Sequence, residues 1–170
     1  MNTLLVQSCS SRKTATTEPL PAIELYDGYF YRILKKARRE TDELPVDIRI
    51  LSAEHGLLHP ETPIEPYDRE MDAERAAELR ESVVATLADL AGDYDRVVIV
   101  GGTQYRSATE GLAAATDTPV HYVRGDGIGE MGGKLKRFLH GDDAAVVDDT
   151  STDDDPRRAD EQRPSSCAGD

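Results

Sequence analysis

The stretch Ile48-Arg49-Ile50-Leu51-Ser52-Ala53-Glu54-His55-Gly56-Leu57-Leu58 decides the fold. An apolar run that breaks into a small, polar, Gly-containing turn is what a buried parallel strand looks like at the carboxyl edge of a sheet. The strand is expected over Val46 to Leu51, and its end delivers a hydroxyl, a carboxylate and an imidazole within four residues. Pro66-Tyr67-Asp68 follows after a short loop and adds a phenol and a second carboxylate.

Working outward, Thr3 to Gln7 is a short apolar run that ends in Ser8-Cys9-Ser10-Ser11, a first strand and its loop. Pro19 and Pro21 keep the next segment extended. Tyr29 to Glu40 has helical spacing, with Tyr29, Ile33 and Ala37 four apart and Phe30 beside them as the apolar face. Asp72 is placed to cap a long helix that runs to about Leu90 through Ala76, Leu79, Val83 and Leu87. Arg96 to Val100 is a β-branched strand stopping at Gly101-Gly102-Thr103, after which Tyr105, Ala108 and Leu112 resume a helix. Val120 to Val123 is a fourth strand, and Gly125 to Gly129 leads into a helix over Glu130 to His140. Strands alternating with helices predict an α/β domain over residues 1–140, with an open, mostly parallel sheet of four or more strands and helices on both faces. Residues 141–170 lack periodicity and are rich in Asp, Ser, Thr and Pro, which predicts an acidic disordered tail.

The chain has 170 residues and a net charge of −13. Such acidity ordinarily argues against nucleic-acid binding, which needs Lys and Arg on phosphates. It is also how halophilic proteins keep their surface solvated, so local charge has to decide. Arg32, Lys35, Lys36, Arg38 and Arg39 form one basic helix face, joined by Arg124, Lys134, Lys136 and Arg137. This face either tracks phosphates or pairs with neighbouring Asp and Glu. No apolar run approaches membrane-spanning length, no signal peptide is expected, and Cys9 and Cys167 are expected as free thiols, which together predict a cytoplasmic protein.

Four strand ends should converge on one crevice, because parallel strands put their carboxyl ends on one side. The expected ligand-binding residues are Ser8, Cys9, Ser10, Lys13, Tyr26, Ser52, Tyr67, Gly101, Gly102, Thr103, Tyr105, Gly127 and Gly129. Cys9 is either a thiol activated by Arg12 and Lys13 or a small half-buried residue at a strand end. His55 and Asp68 are the acid/base candidates, Asp68 being the carboxylate expected to orient the imidazole. His55, His59, His121 and His140 have no metal-site spacing, so neither a metal nor a cofactor is expected.

Leu51-Ser52, Gly56-Leu57-Leu58, Pro60, Ile64, Pro66-Tyr67 and Glu70-Met71 resemble the central signature of the YaaA peroxide-stress proteins. With Cys9-Ser10-Ser11-Arg12-Lys13 and His55, the chain looks closer still to a compact, functionally unassigned group of archaea and actinobacteria in that superfamily. The resemblance implies a role in stress response or nucleic-acid maintenance, with a nucleotide, nucleobase or nucleic acid as partner. A base-processing enzyme acting on a glycosidic bond through His55 or Asp68 is the more ambitious version of that reading, and a noncatalytic DNA-binding protein that uses the basic helix face, or an adaptor that works through the acidic tail, are the alternatives.

Overall fold

In the computed structural model residues 1–147 are described, the side chain of residue 147 excepted. The elements run in the order β1 (Thr3–Ser8), β2 (Leu20–Pro21), α1 (Ala22–Leu25), α2 (Tyr29–Glu40), β3 (Val46–Ser52), β4 (Gly56–Leu58) and β5 (Pro63–Ile64). They continue with α3 (Ala73–Ala91), β6 (Arg96–Val100), α4 (Thr103–Ala108), α5 (Leu112–Ala115), β7 (Val120–Tyr122), α6 (Ile128–Leu139) and α7 (Ala144–Val147). Five strands form one sheet in the order β4-β3-β1-β6-β7. The β1–β3, β1–β6 and β6–β7 pairs are parallel, and β4 folds back antiparallel on β3.

β1 is buried throughout because it is central and covered on both faces. Leu5 packs with Leu34, Phe138 and Val146 on one side, whereas Leu4 and Val6 pack with Val83 and Leu87 of α3 on the other. The parallel strands follow the chain in the order second, first, third, fourth, so the connection after β1 runs toward β3 and the one after β6 runs the opposite way, toward β7. That divergence is the place where doubly wound sheets open a crevice.

Four expectations change. The apolar face of α2 is Tyr31, Leu34 and Ala37, and Tyr29 is 45% exposed. Of the face expected, Ala37 is in the core and Phe30 and Ile33 pack against it, so the fourfold count from Tyr29 found the flank of the buried i, i+3 row and missed its centre. The helix expected through Tyr105 and Leu112 is two short pieces: the Thr109 hydroxyl bonds back to the carbonyls of Arg106 (3.0 Å) and Tyr105 (3.4 Å), ending α4. β4 is an added edge strand, which Gly56 makes possible by turning the chain at φ 72. Finally, the folded body does not stop at His140. Ala145 and Val146 are buried in the core, and Asp143 pairs with the buried Arg96. The expectation of a disordered tail therefore fails for residues 141–147; the remainder lies outside the described residues. Among the described residues no helix is long and apolar enough to cross a membrane.

Candidate functional site

The carboxyl ends of β1, β3 and β6 gather one thiol and several hydroxyls. Ser52 ends β3, and its Oγ accepts the amides of Glu54 (3.2 Å) and His55 (3.1 Å), which shapes the turn first noticed in the sequence. Those two bonds fill the oxygen's lone pairs, so its own proton goes to the Tyr67 hydroxyl at 2.8 Å. Tyr67 passes its proton to Tyr26 at 2.6 Å. A directed row of hydroxyls thus runs from a backbone turn to a buried phenol, fixing the plane of the half-buried Tyr67 ring.

Lys13 reaches over that ring, with Nζ 4.3 Å from its centroid, and His55 meets it edge-on at 5.4 Å. Lys13 is placed by a backbone bridge to Tyr26. On the β6 side the Cys9 thiol lies 2.9 Å from the Tyr105 hydroxyl. Gly101 is needed there, since a Cβ would stand 2.8 Å from Tyr105 Cβ and 3.1 Å from Ser8 Cβ. Burial pushes the Tyr26 hydroxyl up to about 12 and also raises Tyr31, Tyr67 and Tyr105. A charge on Cys9, the common neighbour, would oppose ionisation of all four. At neutral pH these phenols are hydrogen-bond donors, not anions.

The model of a family of unknown function, DUF6884, matches residues 4–137 and so takes in every strand end of the site. The chain belongs to DUF6884. No curated protein matches it. Among solved structures it is similar to the crystal structure of AF0587, a protein of unknown function, with 20% identity and a TM-score of 0.45. That likeness covers 81% of this chain and 44% of the other, so the chain spans less than half the length of AF0587.

Of the site residues expected in this DUF6884 chain, Cys9, Lys13, Tyr26, Ser52, Tyr67, Gly101 and Tyr105 join the hydroxyl cluster directly. Ser8 lies under it, with its carbonyl accepting from Tyr31 at 2.8 Å. Ser10 instead bonds the Arg12 carbonyl at 3.0 Å and braces the loop. Gly102 caps α4, and Thr103 opens it on the outer flank. Gly127 and Gly129 do not join: both are exposed, with open space around them, and Glu130 already occupies the start of α6 by accepting the Asp126 amide at 2.9 Å.

The acid/base pairing is corrected as well. His55 and Asp68 are exposed, and among the described residues no hydrogen bond or ion pair joins them. Asp68 follows Tyr67 into a groove shared with Ser11 and Lys13, because Pro66-Tyr67 turns the phenol inward and the next side chain outward. Glu54 turns to Arg69 at 3.8 Å. Sequence reasoning missed Tyr31 and Gln7. Gln7 is fully buried at the end of β1, its amide nitrogen 3.5 Å from Ser8 Oγ and its Oε1 without a partner. A polar residue inside an otherwise apolar central strand was the available signal.

The basic face of α2 is largely occupied. Arg32 pairs with Asp27, Lys36 with Glu40 and Arg38 with Glu61, while Lys35 donates to the carbonyls of Glu24 and Tyr26. Among the described residues no group of three or more His, Cys, Asp or Glu is placed to hold a metal ion.

Proposed function

We propose that this protein binds a nucleobase-containing ligand, a nucleotide or a nucleic-acid base, in the crevice at the strand ends. The observation that carries the proposal is the Tyr67 ring, held in one plane by the Ser52 and Tyr26 hydroxyls and approached by the Lys13 ammonium. A planar ring stacks on such a platform, and the price of ordering the platform has been met before the ligand arrives. Neutral phenols, a serine and an ammonium then supply donors to carbonyl and ring-nitrogen acceptors on the edge of a base.

The resemblance to the YaaA proteins extends the proposal to a role in stress response or nucleic-acid maintenance in the cytoplasm. The ion pairs along α2 favour the crevice over the helix face as the binding surface. Acid/base chemistry through His55 and Asp68 is not included, since neither is positioned by the other.

The test is equilibrium binding of adenosine, guanosine, cytidine and uridine to the full chain. At least one should bind, with Tyr67→Ala weakening it roughly tenfold or more and Tyr67→Phe weakening it less, because Phe keeps the stacking face. Binding that is indifferent to Tyr67→Ala, or no binding at all, overturns the proposal.

A further inference from the structure

A second cavity, of about 440 Å³, opens on the outer flank of α4 and is lined by Thr103, Arg106, Ser107, Glu110, Tyr122 and Arg124, among others. These residues come from α4, the turn after it and the end of β7, so the cavity lies at the same carboxyl edge of the sheet as the hydroxyl cluster. Helix α4 stands between the two. Tyr105 faces Cys9 on one flank, and Arg106, the next residue, lines the cavity on the other.

The charge of this cavity is opposite to that of the chain. Its acidic group, Glu110, is already held by Arg80 at 3.5 Å, and Arg80 is itself fixed by two 2.8 Å bonds to the carbonyl and hydroxyl of Ser107. Arg106 reaches the Thr103 hydroxyl at 3.5 Å and makes no ion pair with a carboxylate among the described residues. In a chain of net charge −13, where Arg32, Arg38, Arg69, Arg75 and Arg96 each reach a carboxylate, Arg106 is a half-buried guanidinium that faces a polar cavity without one. Guanidinium and hydroxyl groups together are the donors that suit a phosphate.

We infer that this cavity is the phosphate subsite of the crevice, with Arg106 as its anchor and Thr103, Ser107 and Arg124 in its wall, so that the ligand is a nucleotide lying across the strand ends. The inference rests on the proposed nucleobase site for the position of the base. Ser52 ends β3 and Arg124 lies just past β7, three strand spacings away in the order β3-β1-β6-β7, or about 14 Å at ~4.8 Å per strand. A free base is too short to cover that distance, whereas a base over β3 and β1, a sugar over β6 and a phosphate beside β7 follow it.

The experiment compares the four nucleosides, their 5′-monophosphates and inorganic pyrophosphate for binding to the full chain at fixed ionic strength. The monophosphate of the preferred base should bind roughly tenfold or more tightly than its nucleoside. Arg106→Gln should erase that advantage and leave nucleoside affinity in place, and Arg106→Lys should restore part of it. Arg49→Gln, which removes the same charge from β3, should change neither affinity. If pyrophosphate binds in an Arg106-dependent way while no nucleoside binds, the phosphate subsite stands and the nucleobase reading falls. Equal affinities for nucleoside and monophosphate, or pyrophosphate binding that is absent or indifferent to Arg106→Gln, overturn the inference.

Discussion

The basic face of α2 and the hydroxyl cluster at the strand ends are the two polar regions that stand out in this chain, and they are built in opposite ways. On α2 the charged groups are exposed and find partners near at hand, such as Asp27 and Glu40. At the strand ends the polar groups other than Lys13 are uncharged, partly or fully enclosed, and drawn from positions as distant as Cys9 and Tyr105. Exposed ion pairs contribute little and can be rearranged cheaply, whereas enclosed hydroxyls are costly unless satisfied. The comparison teaches that a count of cations on a helix is weak evidence for a binding surface in an acidic protein. Enclosed polarity assembled from several segments is stronger evidence.

The largest expected effect concerns an enclosed charge. Ending the chain after His140 removes Asp143 from the buried Arg96 and strips Val146 from the core, and should cost about 3 kcal/mol in chemical denaturation. A midpoint equal to that of the full chain would show that α7 does not dock. Next is Ser52→Ala, which orphans the Glu54 and His55 amides and the Tyr67 hydroxyl together; a loss of about 2 kcal/mol is expected in the same measurement. A negligible loss would place this row of hydroxyls in contact with water.

Alkali probes the cluster without mutation. The folded-state value of Tyr26 is raised, so the stability contributed by the neutral phenol is complete below pH 10, the ordinary phenol value, and is lost as pH rises through about 12. Phenolate absorbance should therefore develop in two stages, the second coinciding with unfolding. A single early stage would contradict the enclosure. The smallest effects belong to α2: Arg32→Gln, Lys36→Gln and Arg38→Gln should each change stability by less than about 1 kcal/mol, with little salt dependence left after all three.

Much of the fold was legible because the parallel strands are short apolar runs that end in Gly, Ser or Cys. The bounds of Arg96–Val100 and Tyr29–Glu40 follow directly from β-branching and helical spacing. What could not be seen depends on tertiary contact. The edge strand Gly56–Leu58 has three residues, too few for alternation to register, and becomes a strand only against β3. Ala144–Val147 is too short for periodicity to register and is recognised by its burial alone. The site was legible as a set of loops, since topology brings strand ends together. Which side chains turn inward was not. Tyr31 lies buried beneath the strand ends, its hydroxyl on the Ser8 carbonyl, and Asp68 lines the groove beside Tyr67 and Lys13 without a bond to His55.

The most direct test of the central claim is a titration of the full chain, carrying ring-labelled tyrosine, with nucleosides and their monophosphates, followed by nuclear magnetic resonance. Shifts are expected at Tyr67, Tyr26 and Tyr105, with Tyr29 on α2 and Tyr94 beside Asp47 unmoved. Shifts confined to Tyr29, or none at saturating ligand, would contradict that claim.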